Sequence, residues 1–176
     1  MASFDFASHI IDIPDYPQPG VVFKDITPLL SDAEALHAVV EALADHYKDS
    51  GVTKIVAPEA RGFMVGTPVA NRLGVGFIPA RKPGKLPRET VSVTYDLEYG
   101  TDTIEIHKDA IEPGDKVVIL DDLIATGGTV QAVAKIVESM GAELIGFGCI
   151  LELSFLKPRE VLAPAGEYDV FSLITA

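Results

Sequence analysis

Hydrophobic residues recur at helical spacing in three segments of the chain. In the first, apolar positions repeat every three or four residues from Leu36 to Tyr47, which is the periodicity of one buried helix face. Ser31 and Glu34 precede this run with the spacing of a capping box, so we predict that the helix starts there. The other two predicted helices each end at a glycine and cover residues 63–73 and 128–140.

Short apolar runs typical of β-strands alternate with these helices. They cover residues 53–57, 75–79, 116–120, 144–153 and 168–174. Such alternation predicts an α/β fold, in which a central parallel sheet is flanked by helices on both faces and the crossovers are right-handed. Residues 91–95 and 103–107 alternate between apolar and polar side chains around Gly100, which predicts an antiparallel hairpin.

We predict one domain that covers residues 1–176, since this length fits a single core. Residues 1–30 contain several prolines and are expected to form an irregular arm that wraps around the domain. Residues 81–107 are expected to form a flexible flap, made of a loop rich in proline and glycine followed by the hairpin.

The overall charge excludes several kinds of partner. The chain has 14 basic and 26 acidic residues and a net charge of −12, which argues against binding to nucleic acid or to anionic lipid. No apolar run approaches the ~20 residues that a membrane helix requires. The single cysteine, Cys149, cannot form an internal disulfide, and the first residues do not resemble a signal peptide. We therefore expect a cytoplasmic protein.

The positive charges are unevenly distributed. Residues 60–88 contain no aspartate or glutamate but six of the fourteen cations. This window is either a solvated basic loop or a local site for an anion within an otherwise acidic protein.

The segment 117–129 has the composition of a ligand site. An apolar strand is followed by Asp121 and Asp122, and then by a loop with two glycines and two threonines that opens a helix. Backbone N–H groups at a helix start bind phosphate, and glycines allow it to approach. Adjacent carboxylates repel phosphate but accept hydrogen bonds from the two hydroxyls of a ribose. The alternative is that these residues only turn the chain and cap the helix. The segment lacks the lysine of a P-loop and the spacing of a dinucleotide fingerprint, which argues against a simple NTPase or a dehydrogenase.

This segment resembles the phosphoribosyl-diphosphate motif of the type I phosphoribosyltransferases. Four further segments resemble the adenine-specific members of that family and occur in the same order: residues 19–26, 59–63, 81–87 and 95–100. The resemblance implies the type I phosphoribosyltransferase fold with an N-terminal hood arm. It also implies that phosphoribosyl diphosphate and adenine are converted to AMP and diphosphate in purine salvage, and that the protein is a homodimer.

The resemblance assigns roles to individual residues. The groups expected to bind phosphoribosyl diphosphate or AMP are Arg61, Arg81, Lys82, Lys85, Asp121, Asp122, Ala125, Thr126, Gly127, Gly128 and Thr129. Part of the basic cluster is expected to reach across a dimer interface. Mg²⁺ is expected to be held mainly by the diphosphate and water, with no direct protein ligand.

The same resemblance assigns the base site and the acid–base chemistry. Adenine is expected to contact Val22, Phe23, Lys24 and Leu156. Lys24 replaces an arginine that is frequent at this position in the family. Glu98 is expected to adjust the proton on the purine, with Tyr99 closing the site and Arg61 as the third catalytic group.

Simpler interpretations exist for several of these residues. Phe23 and Leu156 are also plausible core residues, and Glu98 is also a plausible exposed turn acid. For Arg72 and Arg88 we expect a solvent-exposed role. Two other functions remain open: a phosphoribosyltransferase for guanine, hypoxanthine, xanthine or orotate, and a non-catalytic regulator of the same fold. The presence of the flap glutamate and of the basic cluster favours an enzyme.

Overall fold

The computed structural model describes residues 4–97, 100–163, 166 and 168–176. Its strands are β1 (Ile11–Pro14), β2 (Val22–Asp25), β3 (Lys54–Pro58), β4 (Gly76–Ala80), β5 (Thr90–Asp96), β6 (Thr101–His107), β7 (Lys116–Ile124), β8 (Glu143–Glu152) and β9 (Asp169–Thr175). Five of them form one sheet in the order β4-β3-β7-β8-β9, and all neighbours in it are parallel. The predicted central parallel sheet is confirmed.

Helices cover both faces of this sheet. They are α1 (Thr27–Ser31), α2 (Ala33–Tyr47), α3 (Arg61–Leu73), α4 (Gly128–Ser139) and α5 (Pro158–Leu162). Strand β7 alternates between two cores: Val117 and Ile119 pack on the side of α4, whereas Val118 and Leu120 pack on the side of α2 and α3. A strand that is apolar on both faces belongs in the middle of a covered parallel sheet.

Two local predictions were wrong. Helix α2 is capped by Asp32, whose side chain accepts a hydrogen bond from the Ala35 N–H at 2.8 Å, and not by Ser31, which ends α1. Strand β7 continues to Ile124, because its pairing with β8 extends to Glu152. The two aspartates that were expected to follow this strand therefore lie within it.

The N-terminal arm is more regular than predicted. Strands β1 and β2 form an antiparallel pair from Ile11–Asp25 to Pro14–Val22. The hairpin of the flap has the expected form, with β5 and β6 paired from Thr90–His107 to Asp96–Thr101. In the described part of the chain, no helix combines the length and apolarity that crossing a membrane requires.

Candidate active site

A cavity of about 250 Å³ lies at the carboxyl ends of β3 and β7, where ligands bind in open parallel sheets. Its walls come from the ends of these strands, the start of α3, the flap hairpin and the start of α4. The lining residues are Pro58, Glu59, Arg61, Lys82, Tyr95, Leu97, Asp102, Ile104 and residues 121–130. Nine of the residues predicted from sequence are therefore brought together here: Arg61, Lys82, Asp121, Asp122, Ala125, Thr126, Gly127, Gly128 and Thr129.

The two aspartates at the end of β7 differ in their surroundings. Burial and the neighbouring Asp122 carboxylate raise the pKa of Asp121 well above its usual range. The Asp122 side chain is 3% exposed, and its Oδ2 accepts no hydrogen bond from any described residue. Arg61 Nε lies 3.2 Å from this oxygen, but the contact is an ion pair without hydrogen-bond alignment. One buried acceptor is thus available to a ligand.

Helix α3 begins close to this carboxylate pair because Gly62 has no side chain. A Cβ at this position would lie 3.0 Å from Asp121 Oδ1 and 3.1 Å from Pro58 Cδ. The glycine therefore allows Arg61 to begin the helix directly beside the ends of β3 and β7.

The loop that follows β7 has the form of an anion cradle. Gly127 has φ +86° and precedes the first residue of α4, and no described side chain caps this helix. A Cβ on Gly127 would lie 3.2 Å from the Pro158 carbonyl oxygen. The first turn of α4, whose backbone N–H groups have no side-chain cap among the described residues, therefore lines the cavity together with Thr126 and Thr129.

Two of the four predicted cations line this cavity. Arg61 and Lys82 do, whereas Arg81 and Lys85 are not among its lining residues in the part of the chain described. Lys82 forms an ion pair with Asp102. Arg81 turns instead to Glu59 and lies 5.9 Å from the centre of the Phe63 ring.

Sequence reasoning missed two acids in this cavity, Glu59 and Asp102. Glu59 belongs to the segment 59–63 that carried the family resemblance, so its position was a usable signal. Asp102 is aligned opposite Tyr95 in the hairpin, and only the strand register brings it to the cavity. Tyr95 also lines the cavity and was missed, although it begins the segment 95–100 that carried the resemblance.

The predicted adenine-binding residues do not line this cavity in the described chain. Val22, Phe23 and Lys24 lie in β2, where Lys24 Nζ is 2.8 Å from Asp12 and the Phe23 ring packs edge-on against Tyr16. Leu156 ends a short 3₁₀ helix and is 39% exposed. Their role in base binding stays a prediction. Glu98 and Tyr99 lie outside the described residues.

The two arginines expected to be unrelated to the site are exposed and paired elsewhere. Arg72 binds Glu41 through two hydrogen bonds of 2.6 and 2.9 Å. Arg88 pairs with Asp109. Neither lines the cavity at the ends of β3 and β7.

Comparison with known proteins identifies the family. Residues 28–175 match the phosphoribosyl transferase domain. The adenine phosphoribosyltransferase of Desulfitobacterium hafniense is 53% identical over 174 residues, which are 99% of either chain. The crystal structure of adenine phosphoribosyltransferase from Thermoanaerobacter pseudethanolicus superposes with a TM-score of 0.92 at 53% identity and covers 97% of this chain and 98% of its own.

A more distant structure agrees with this result. The APRTase of Giardia lamblia, solved in complex with 9-deazaadenine, is 40% identical with a TM-score of 0.92, and the match covers 100% of this chain and 98% of that one. Similarity at this level extends over the sheet, the flap and the cavity together. The chain therefore belongs to the adenine phosphoribosyltransferases, which are pentosyltransferases of the type I phosphoribosyltransferase fold.

Proposed function

We propose that this chain transfers the 5-phosphoribosyl group from phosphoribosyl diphosphate to adenine, giving AMP and diphosphate. The observation that carries this proposal is the arrangement of one cavity: the Thr126–Thr129 cradle, the pair Asp121 and Asp122, and the cations Arg61 and Lys82 all line it. A phosphate, a ribose and a diphosphate are joined in this order in the substrate. The names of the relatives support adenine as the base.

Cleavage of the anomeric C–O bond builds positive charge on the ribose ring and negative charge on the departing diphosphate. The cavity contains groups that stabilise both. Asp121 and Asp122 accept hydrogen bonds from the ribose hydroxyls and place negative potential near the ring. Arg61 and Lys82 bind the diphosphate, Arg61 through two N–H groups and Lys82 as a point charge.

Magnesium is proposed to arrive with the substrate. Among the described residues no group of three or more His, Cys, Asp or Glu side chains is arranged to hold a metal ion. The buried Oδ2 of Asp122, which has no hydrogen-bond partner in the described chain, suits a ribose hydroxyl or a magnesium-bound water. When bound, Mg²⁺ supplies positive charge to the diphosphate oxygens.

Glu98 is the proposed acid–base group. A carboxylate beside the purine makes the attacking nitrogen more nucleophilic by adjusting the proton on the imidazole ring. Tyr99 is proposed to help close the site, and Val22, Phe23, Lys24 and Leu156 to hold the base. These roles rest on the motif match alone.

We also propose a cytoplasmic homodimer in which Lys85 and Arg81 serve the site of the partner. Neither lines the cavity of its own chain in the described residues, which supports this arrangement. If Lys85 acts across the interface, mixing Lys85→Ala chains with Glu98→Gln chains restores about a quarter of the activity per site. If every site is built from one chain, mixing restores none.

Turnover with single bases tests the function. The protein is incubated with phosphoribosyl diphosphate, Mg²⁺ and one base at a time, and the nucleotide and diphosphate formed are measured. We expect AMP and diphosphate from adenine, and little product from guanine, hypoxanthine, xanthine or orotate. Turnover of another base instead of adenine contradicts the substrate, and binding of phosphoribosyl diphosphate without turnover of any base indicates a regulator.

A further inference from the structure

A chain of polar side chains connects the two ends of the cavity. Lys82 Nζ binds Asp102 Oδ2, and the Tyr95 hydroxyl lies 3.3 Å from the same oxygen. The Tyr95 hydroxyl is also 3.2 Å from Thr129 Oγ1 at the start of α4. Asp102 and Tyr95 are directly opposite each other in the register of β5 and β6, so the hairpin fixes both side chains together.

The cavity contains more carboxylates than cations. Its described walls include the acids Glu59, Asp102, Asp121 and Asp122, but only the cations Arg61 and Lys82. Both cations already have a carboxylate partner: Arg61 is paired with Asp122 and Lys82 with Asp102. A diphosphate that enters this cavity meets no unpaired cation among its described walls and must compete with these acids for their partners.

Asp102 is placed to compete directly. Its side chain is 24% exposed and that of Lys82 is 43% exposed, so the pair is open to solvent and to an anion. Asp122, in contrast, is buried. The Arg61 side chain is 52% exposed, but its partner Asp122 is buried, whereas both members of the Lys82–Asp102 pair are open to solvent. A phosphate oxygen offers Lys82 the same kind of partner as the Asp102 carboxylate.

We propose that Asp102 competes with the diphosphate group for the Lys82 ammonium and thereby weakens diphosphate binding. The inference rests on the proposed function, and it assigns to Asp102 the control of how tightly the diphosphate is held and how readily it leaves. In the empty cavity Asp102 keeps Lys82 near the site. When diphosphate binds, the ammonium exchanges one oxygen partner for another.

Direct binding of inorganic diphosphate tests this proposal. Binding to the full chain is measured by calorimetry in the presence of Mg²⁺ and at fixed ionic strength. Asp102→Asn removes the competing charge but keeps the size of the side chain, so we expect diphosphate to bind about fivefold more tightly, in line with a partly exposed ion pair. Asp109→Asn is the matched control, since Asp109 pairs with Arg88 outside the cavity. We expect this variant to bind diphosphate as tightly as the unmodified chain does.

A variant of Lys82 distinguishes competition for its ammonium group from simple charge repulsion between Asp102 and the diphosphate. In Lys82→Met, which lacks the shared partner, we expect Asp102→Asn to improve binding by less than twofold. An equal gain in both backgrounds means that Asp102 acts only as a distant negative charge, and unchanged or weaker binding in Asp102→Asn overturns the proposal outright. Asp102→Ser provides a second variant if the asparagine perturbs the hairpin.

Turnover gives an independent readout. With Asp102→Asn we expect a lower KM for phosphoribosyl diphosphate and stronger inhibition by added diphosphate, neither of which follows from damage to the fold. If the unmodified chain forms no AMP, the proposed function fails while the binding comparison still stands. If AMP forms normally and the variant binds diphosphate as the unmodified chain does, only the role of Asp102 fails.

Discussion

The Glu59 carboxylate, which lines the cavity, binds the side chain of Arg81, which is not among the described lining residues. Oε2 of Glu59 accepts hydrogen bonds from Arg81 Nη2 at 2.9 Å and from Nε at 3.2 Å. Its Oε1 accepts the backbone N–H of Lys82 at 2.6 Å. Burial alone raises the pKa of Glu59, but the bonds from Lys82 and Arg81 outweigh it and lower that pKa. One carboxylate thus binds two consecutive basic residues, the first through its side chain and the second through its backbone, and of these two only Lys82 is among the described residues that line the cavity.

We predict that Glu59→Gln impairs substrate binding through these neighbours. Arg81 and the Lys82 backbone bind different oxygens of Glu59, and the amide keeps only one oxygen. The Arg81 side chain or the Lys82 backbone therefore loses its acceptor. We expect KM for phosphoribosyl diphosphate to rise about tenfold, which is typical of losing one or two charge-assisted hydrogen bonds, while kcat falls less. Steady-state kinetics with saturating adenine measures both.

Glu41→Gln is the matched control for this variant. Glu41 also binds an arginine through two hydrogen bonds, but its partner Arg72 lies outside the cavity. The control is expected to leave KM unchanged. An equal rise in KM for both variants contradicts a specific role of Glu59, as does an unchanged KM in Glu59→Gln.

The sequence predicted the parts of the site that are continuous in the chain. The segment 121–129 forms a carboxylate pair followed by a loop and a helix start, and all these residues line one cavity. The acid-free window 60–88 was interpreted as an excess of positive charge, yet the acids that pair with its cations come from elsewhere. Asp102, which pairs with Lys82, lies in β6 of the flap hairpin, and Asp122, which pairs with Arg61, lies in β7. Pairings between distant elements depend on strand register, which a local pattern does not specify.

Asp121 is predicted to destabilise the folded protein at neutral pH. Burial and the Asp122 charge raise the pKa of Asp121 above its usual value of ~3.9. Below that value the carboxyl is protonated in both the folded and the unfolded chain. As pH rises through the interval up to the folded pKa, the unfolded chain releases its proton first, and stability is lost. Asp121→Asn should therefore raise Tm at pH 7, by about 2–4 °C for each kcal/mol of unfolding free energy that is gained. At pH 3.5 Tm should hardly change. Turnover is expected to fall.

Asp115→Asn is predicted to change Tm at pH 7 in the opposite direction. Burial raises the pKa of Asp115, but hydrogen bonds from the Glu112 backbone, Lys54 and Thr53 outweigh it, so that the pKa is lowered. Ionised Asp115 therefore stabilises the fold above its ordinary pKa, and this contribution is lost as pH falls through the lowered value. Asp115→Asn should lower Tm at pH 7 and have little effect in acid. Thermal unfolding across pH distinguishes the two variants, and a shift of the same sign at pH 7 contradicts the prediction.

Glu98→Gln is predicted to slow the chemical step without weakening substrate binding to the same extent. The amide has nearly the shape of the carboxylate but cannot accept a proton, and loss of a general acid or base typically costs ~10²–10⁴ in rate. Single-turnover formation of AMP isolates this step from product release. Near-normal turnover by this variant removes Glu98 from the mechanism.

Gly62 is predicted to be required for activity, whereas Gly66, one helical turn later in α3, is required for packing. A Cβ at Gly62 would lie 3.0 Å from Asp121 Oδ1, so Gly62→Ala should displace the carboxylate. Because small displacements of positioning groups are costly in rate, we expect turnover per folded molecule to fall about tenfold or more. A Cβ at Gly66 would lie 2.9 Å from both Ala57 Cβ and Phe77 Cε2, which are not part of the cavity lining.

Gly66→Ala should therefore cost ~1–3 kcal/mol of unfolding free energy, as overpacking typically does, and leave the turnover of the folded fraction nearly intact. Denaturant unfolding and turnover, measured on both variants, separate the two effects. If Gly62→Ala retains full turnover, the close approach of α3 to Asp121 is not needed for positioning that carboxylate. If Gly66→Ala loses turnover as strongly as Gly62→Ala, the effect of either alanine is transmitted through the helix and not through the contact with Asp121.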